Sequence, residues 1–124
     1  MPRLVLLDDS LITLKIMGPV LVDAGFEVRA VSTLRQFVNV LMDWKPHLIV
    51  TDLYMPEMNG AELCSWLRAQ IATAKTPIII CSSANNEELE RIVREVGADG
   101  YVSKEAGPDA LGARLHELCE EIVW

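Results

Sequence analysis

Short aliphatic runs alternate with longer amphipathic stretches along this chain, and that alternation is the strongest constraint on its fold. Nearly continuous runs suit parallel strands that are covered on both faces, whereas apolar residues at three- and four-residue spacing suit helices. The runs fall at residues 4–7, 27–31, 48–50, 77–81 and 101–103. Repeated strand–helix units with short loops predict an α/β domain, for which right-handed crossovers leave few arrangements. We expect a five-stranded parallel sheet of order 2-1-3-4-5 with helices on both faces.

The periodic apolar residues also set the expected helix limits. The third amphipathic stretch reaches Ile71, and the stripe of the fifth reaches Ile122. Pro19 falls inside the first stretch, where an interior proline costs about 3 kcal/mol. Apolar residues at positions 11, 14, 16, 17, 20 and 21 still offer one face. We therefore predict a first helix that continues through Pro19, with a kink or an irregular second half.

Length and composition narrow the class of protein. With 124 residues, of which 51% are hydrophobic, the chain is long enough for one domain, residues 1–124, with its own core. A net charge of -7 argues against direct nucleic-acid binding, which needs clustered lysines and arginines. No apolar run suits a signal peptide or a membrane span, so we expect a cytoplasmic protein. Cys64, Cys81 and Cys119 lack metal-ligand spacing and are expected to be free, buried thiols.

Polar and charged residues follow four of the predicted strands. Asp8 and Asp9 follow the first strand, Asp52 the third, Ser82 the fourth and Lys104 the fifth. The carboxyl ends of parallel strands meet at one edge of an open α/β sheet, and ligands bind there at the point where strand order reverses. We therefore expect three carboxylates, one hydroxyl and one ammonium to converge at this edge.

Three neighbouring carboxylates repel one another, and a cation relieves that repulsion. Oxygen ligands from few side chains, completed by water, favour Mg²⁺. A magnesium ion and a lysine beside a carboxylate would stabilise phosphoryl oxygens during in-line transfer. The carboxylate itself can be the nucleophile, forming an acyl phosphate. Each of these residues alone would be read as a helix cap or a surface charge, so the hypothesis rests on their combination.

In this order and spacing, these residues resemble the receiver domain of response regulators in bacterial two-component systems, including the chemotaxis-type regulators. The matching positions are Asp8 and Asp9 (acidic pair), Asp52 (phosphoacceptor), residues 53–60 (the loop that follows it), Ser82 (switch hydroxyl), residues 97–101 with Tyr101 as the aromatic switch, and Lys104. The resemblance covers essentially the whole chain, and it implies the flavodoxin-like (βα)5 fold.

The resemblance also implies roles at the site. Asp9, Asp52 and the backbone carbonyl of Tyr54 would coordinate Mg²⁺ or Mn²⁺, and Asp8 would assist directly or through a water molecule. Asp52 would take a phosphoryl group from a histidine kinase or a phosphotransfer protein, and Lys104 would pair with that group. The chain would then be a phosphoacceptor signalling domain that catalyses only its own phosphorylation and dephosphorylation.

A switch would follow phosphorylation in such a domain. Ser82 would swing towards the phosphoryl group, and Tyr101 would move inward behind it. The face formed by helix 4, strand 5 and helix 5 would then change for a downstream protein or an output domain, and a phosphorylation-dependent homodimer is one further arrangement. The regulator would either stand alone or form part of a longer protein.

Two positions depart from the commonest family pattern. The lysine is usually followed by proline, often after a cis peptide bond, but Glu105 follows Lys104 here. Ser83 stands where a small residue, commonly alanine, follows the switch hydroxyl, although spacing favours Ser82 as the phosphate contact. Two other functions stay open at this point: a pseudo-receiver that binds proteins without phosphorylation, and a flavodoxin-like cofactor binder. The paired aspartates after the first strand disfavour the cofactor binder, because they would repel a flavin phosphate.

Overall fold

The computed structural model describes residues 2–121, and in it five strands form one parallel sheet of order β2-β1-β3-β4-β5. The strands are β1 (Arg3–Leu7), β2 (Glu27–Val31), β3 (Leu48–Thr51), β4 (Ile78–Ser82) and β5 (Gly100–Ser103). The helices are α1 (Leu11–Asp23), α2 (Leu34–Asp43), α3 (Gly60–Ala69), α4 (Asn86–Val96) and α5 (Pro108–Glu121), with a 3-10 turn at Lys104–Ala106. The predicted fold class and strand order are confirmed.

Two apolar cores lie on opposite faces of the sheet. Alternate residues of β1 enter different cores: Val5 and Leu7 pack with α2, α3 and α4, whereas Leu4 and Leu6 pack with α1 and α5. The same alternation holds along β3 and β4, so the central strands are covered on both faces. This double burial is the physical reason that the strand sequences are nearly continuous aliphatic runs. Of the cysteines, Cys64 and Cys81 are buried and Cys119 is half-buried.

Side-chain caps start the helices close to the carboxyl edge of the sheet. The N-cap residues Ser10, Thr33, Asn59 and Asn85 each accept a hydrogen bond from the backbone N–H three residues further on. Since Ser10 caps α1, the two aspartates before it are left to other partners. None of the helices in residues 2–121 is long and apolar enough to cross a membrane.

The third helix ends earlier than its apolar pattern predicts. It stops at Ala69, and the backbone of Gln70 is extended, with ψ of 133°. The Thr73 hydroxyl donates to the Leu67 carbonyl at 2.7 Å and so satisfies a carbonyl at the helix end. Ile71 is consequently fully exposed rather than part of the core, and its prediction as a helical core residue is wrong. Ile122, predicted in the fifth stripe, lies outside the described residues.

Arg68 ties three segments together at the amino edge of the sheet. Its guanidinium donates to the carbonyl of Thr76 at 2.7 Å and to a carboxylate oxygen of Asp99 at 2.8 Å. The same Asp99 oxygen accepts from the N–H of Ile78, the first residue of β4, at 2.8 Å. The end of α3, the start of β4 and the turn before β5 therefore share one charged network.

The first helix continues through Pro19 to Asp23, which confirms its predicted continuation, but the second half is regular helix. Its apolar face is narrower than expected. Leu14, Met17 and Leu21 are buried, but Leu11 and Ile16 are exposed. The proline is exposed too, so it contributes no core packing to offset the helix hydrogen bond that it cannot donate.

We expect Pro19→Ala to raise the free energy of unfolding by about 1–2 kcal/mol, because alanine restores the N–H donor and removes the ring clash. Part of the gain is lost because proline also restricts the unfolded chain. Urea denaturation measures the change. Val22→Ala, at an exposed position of the same helix, is the matched control and should shift stability by less than about 0.5 kcal/mol. A Pro19→Ala protein less stable than the wild type would contradict this reading of α1.

Candidate functional site

Three carboxylates meet at the carboxyl edge of the sheet. In the parallel pairing of β1 with β3, Leu7 lies opposite Thr51, so the residues that follow each strand are brought side by side. Asp8, Asp9 and Asp52 each offer an oxygen, and these oxygens all lie within 4.8 Å of one another. The convergence predicted from the strand ends is therefore present, and its donors are all carboxylate oxygens, the type that hard cations prefer.

The carboxylates differ in exposure and in hydrogen bonding. Asp8 is buried, Asp52 is intermediate and Asp9 is exposed. One oxygen of Asp8, Oδ1, accepts from the Ser10 N–H at 2.9 Å, and Oδ1 of Asp52 accepts from the Leu53 N–H at 2.7 Å. Asp8 and Asp52 thus each have one oxygen that accepts from the backbone, and the second oxygen of each faces Lys104.

Lys104 enters that space from the end of β5. Its Nζ lies 2.7 Å from Oδ2 of Asp8 and 3.7 Å from Oδ2 of Asp52. Burial alone would lower the pKa of the ammonium, but the hydrogen bond to Asp8 and the negative charges of Asp52 and Asp8 outweigh burial, so the pKa is raised. Lys104 is therefore a charged group at neutral pH, ion-paired to the most buried carboxylate.

The pKa of Asp52 is also raised, above its ordinary value of 3.8. Burial is the largest cause, and the charges of Asp8 and Asp9 add to it. The Lys104 ammonium and the Leu53 N–H act in the opposite direction without cancelling the rise. Ionised Asp52 is thus held at a free-energy cost, and a further cation at this edge would reduce that cost.

Asp52→Asn should therefore stabilise the metal-free protein at neutral pH, by on the order of 1 kcal/mol, since asparagine keeps the shape and removes the charge. An acid whose folded pKa is raised weakens the fold as pH rises through that pKa. The gain should be full above the folded pKa and should vanish as pH falls to about 3.8, the ordinary value. Chemical denaturation across a pH series measures it. Asp43→Asn, at an exposed position outside the site, is the control. Lower stability of the Asp52→Asn protein at pH 7 would contradict the burial argument.

Ser82 is the last residue of β4, the strand that pairs with β3. Its side chain is buried, and Oγ accepts from the Ala84 N–H at 3.4 Å, whereas Ser83 is exposed. The neighbouring Cys81 is buried, and burial raises the pKa of its thiol to about 12. Cys81 is therefore a protonated packing group, and Ser82 is the serine of this segment that turns inward.

Tyr101 is half-buried, and its ring packs against the core on the side of α4. Its hydroxyl donates to Oε1 of Glu90 on α4 at 3.1 Å, at the exposed side of the ring. Sequence reasoning missed Glu90 as its partner, because nothing in the α4 pattern marks one exposed glutamate among several. It also missed Ser103, whose hydroxyl donates to the Ala84 carbonyl at 3.2 Å. The available signal for Ser103 was its place directly before Lys104.

The loop after Asp52 is closed by a tight approach to α3. The Gly60 N–H donates to the Leu53 carbonyl at 2.7 Å, and a β-carbon on Gly60 would lie 2.9 Å from Cδ1 of Leu53. Only glycine fits there without displacing Leu53. Within this loop Tyr54 is 66% exposed, so it contributes nothing to the core.

The fold and this site define a doubly wound α/β domain whose carboxyl edge gathers acidic groups around one lysine. The chain belongs to the response regulator receiver domain family, whose sequence profile matches residues 4–116. It is similar to the transcriptional regulatory protein GltR of Pseudomonas aeruginosa, with 33% identity over 115 residues, 93% of this chain and 48% of that protein. It is 32% identical to the phosphate regulon regulatory protein PhoB of the same organism, over 90% of this chain and 49% of PhoB.

A solved structure agrees with this assignment. The chemotaxis response regulator CheY4 of Vibrio cholerae is 27% identical, with a TM-score of 0.84 over 95% of this chain and 98% of CheY4. By contrast, the chain spans about half the length of the curated relatives GltR and PhoB. Phosphoryl transfer within two-component signalling follows from membership of the family, and it confirms the function predicted from the sequence.

Proposed function

We propose that Asp52 is the phosphoacceptor of one receiver domain, residues 1–124, and that it is phosphorylated in the cytoplasm by a histidine kinase or a phosphotransfer protein. The observation that carries this proposal is that the two carboxylate oxygens of Asp52 have different partners. Oδ1 is fixed by the Leu53 N–H, while Oδ2 faces the ammonium of Lys104 at 3.7 Å. Oδ2 is then the nucleophile, and it already has a cation beside the position where charge develops.

The donor-set chemistry fits Mg²⁺ or Mn²⁺. Asp8, Asp9 and Asp52 offer clustered carboxylate oxygens, and we assign the backbone carbonyl of Tyr54 as a fourth ligand. A bound divalent ion supplies charge neutralisation for the phosphoryl oxygens during transfer. The charge balance supports the assignment, because three carboxylates beside the single ammonium of Lys104 leave an excess of negative charge at this edge.

The transfer step itself is carried by residues of this chain. Oδ2 of Asp52 attacks phosphorus, the bond between phosphorus and the donor histidine nitrogen breaks, and its electron pair stays on the imidazole. An acyl phosphate forms on Asp52, and Lys104 exchanges Asp8 for the phosphoryl oxygens. Ser82 turns from the Ala84 N–H to donate to the same group. In this proposal the domain is a signalling component and turns over no substrate beyond its own phosphoryl group.

Apolar side chains beside the site support a protein as phosphodonor. Leu11, Ile12 and Ile16 on the first turns of α1 are 63, 73 and 50% exposed. They follow Asp9 in the chain, so a partner helix that presents a phosphohistidine to Asp52 would cover them. Exposed apolar residues grouped near a reactive group favour protein docking.

The face formed by α4, β5 and α5 is the proposed output surface. A groove of about 360 Å³ lies there, lined by residues that include Tyr101, Ala106 and Arg114. We assign to it a downstream protein or an output domain, and a phosphorylation-dependent homodimer is the alternative occupant. If Tyr101 moved inward behind Ser82, its hydroxyl would lose the hydrogen bond to Glu90 and its ring would leave this groove.

Glu90→Ala should make that inward movement easier. The lost hydrogen bond is an exposed one, so about 0.5–1 kcal/mol of support for the outer position disappears. Beryllofluoride, a phosphoryl mimic, should then saturate the Tyr101 amide shift at a concentration roughly 3-fold lower. Amide NMR measures it, and Glu90→Gln, which keeps an acceptor, should stay close to the wild type. An unchanged or higher midpoint in Glu90→Ala would show that this bond does not restrain Tyr101.

A titration with beryllofluoride, with and without Mg²⁺, tests the proposed function as a whole. We expect saturable amide shifts that need both Mg²⁺ and the Asp52 carboxylate, that are lost in Asp52→Ala, and that spread to Ser82 and Tyr101. A wild-type protein that stays silent at millimolar Mg²⁺ would overturn the phosphoacceptor mechanism. It would leave a pseudo-receiver that binds proteins through the same fold.

A further inference from the structure

Two serine hydroxyls from neighbouring strands hold the Ala84 residue from its two sides. Oγ of Ser82 accepts from the Ala84 N–H at 3.4 Å, and Oγ of Ser103 donates to the Ala84 carbonyl at 3.2 Å. Ser82 and Ser103 lie opposite each other in the parallel pairing of β4 with β5. Their hydroxyls therefore reach the same point of the loop between β4 and α4.

The Ser103 hydroxyl has a second partner on its own side. It accepts from the Glu105 N–H at 3.3 Å, and this bond begins the 3-10 turn Lys104–Ala106. A proline at position 105 has no N–H and could not make the bond. A hydroxyl that accepts one bond and donates another has a fixed orientation, so Ser103 connects the Glu105 N–H to the Ala84 carbonyl as a relay.

We propose that Ser103 is a positioning residue for phosphoryl uptake, because its hydroxyl joins the turn that begins with Lys104 to the loop that follows Ser82. In this chain the relay replaces the restraint that a proline after the lysine would supply. The inference rests on the proposed function of Asp52, since Lys104 and Ser82 are the groups that Ser103 places.

The relay has a consequence for the switching step. When Ser82 leaves the Ala84 N–H to donate to the phosphoryl group, the Ala84 carbonyl is still held by Ser103. When Lys104 leaves Asp8, its turn is still anchored at its first residue. The two loops therefore move together rather than independently, and the ordering of one favours the ordering of the other.

Ser103→Ala tests the relay, with Ser103→Thr as the conservative variant that keeps a hydroxyl and Ser83→Ala as the matched control at the exposed neighbouring serine. With Mg²⁺ present, we expect Ser103→Ala to need about 3- to 10-fold more beryllofluoride for half-saturation, the scale of one or two lost hydrogen bonds. Amide hydrogen exchange at Glu105 should accelerate by a similar factor. Ser103→Thr and Ser83→Ala should stay within about 2-fold of the wild type.

The outcomes separate the inference from the proposed function. A wild-type protein that does not respond to beryllofluoride removes the phosphoacceptor assignment, and the role of Ser103 falls with it. A responsive wild type with unchanged affinity in Ser103→Ala overturns the positioning role alone. Equal weakening in Ser103→Ala and Ser103→Thr would also overturn it, because the effect would then come from packing and not from the hydroxyl. Urea denaturation of each variant checks that the affinities compare folded proteins.

Discussion

Asp52→Asn is expected to take up no phosphoryl group from acetyl phosphate in the presence of Mg²⁺, while the wild type forms an acyl phosphate. The substitution removes the proposed attacking oxygen, Oδ2, and it leaves the hydrogen bond from the Leu53 N–H available to the amide oxygen. Intact-protein mass spectrometry follows the added phosphoryl group, and hydroxylamine treatment identifies an acyl phosphate by releasing it. Loss of the nucleophile is absolute, so the rate should fall below detection.

Asp9→Asn provides a graded comparison at the same edge. Its carboxylate is exposed and is proposed to hold the metal rather than to react, so uptake should slow by roughly 100-fold without a change in the site of modification. Asp43→Asn, outside the site, should be modified like the wild type. A modified Asp52→Asn protein would show that another residue accepts the phosphoryl group.

Lys104→Met is expected to lower the free energy of unfolding by about 2–3 kcal/mol at pH 7. Methionine keeps much of the apolar stem, but it leaves Asp8, whose side chain is 3% exposed, without the ammonium that lies 2.7 Å away. The lysine itself is 24% exposed, so water screens part of the interaction, and the loss falls below that of a fully buried pair. Chemical denaturation in the absence of divalent cations measures the change.

The pH dependence of that loss follows from the raised pKa of Lys104. A base whose folded pKa is raised stabilises the fold fully below its unfolded pKa, ordinarily 10.5, and loses the contribution as pH rises through the folded value. The difference between wild type and Lys104→Met should therefore be constant around neutrality and should narrow above pH 10.5. Adding Asp8→Asn to Lys104→Met should recover most of the stability, because the unpaired charge is gone. Equal stability of Lys104→Met and wild type would show that the pair contributes nothing.

The fold was predictable because strands that are buried on both faces of a sheet need apolar residues at nearly every position. Residues 4–7 and 48–50 are nearly all aliphatic for that reason, and their order along the chain, with the handedness of crossovers, determines the sheet. The acidic site was predictable for a related reason. Residues that directly follow parallel strands share one edge, so Asp8, Asp52 and Lys104 had to approach one another once the strand order was known.

Contacts that depend on loop geometry were not predictable in the same way. Ile71 continues an apolar period, yet the backbone turns away at Gln70 and leaves it in solvent. The bonds of Ser103 to Ala84 and of Tyr101 to Glu90 depend on side-chain rotamers and on how two loops face each other. Periodicity describes which face of an element is buried, and it carries no information about such pairings.

The Arg68–Asp99 network joins neighbouring segments at the amino edge of the sheet. It connects α3 to the beginning of β4 and to the turn before β5. At the opposite ends of these strands, the Ser82 and Ser103 hydroxyls form hydrogen bonds with the backbone of Ala84. We therefore expect the changes that follow phosphorylation, proposed at Asp52, to be larger at the carboxyl edge of the sheet than at the amino edge. The amino edge of the sheet would then be the fixed part of the domain, and the carboxyl edge the part that changes. Conformational changes in the surfaces near the carboxyl edge can accordingly occur while the contacts of Arg68 and Asp99 at the amino edge stay intact.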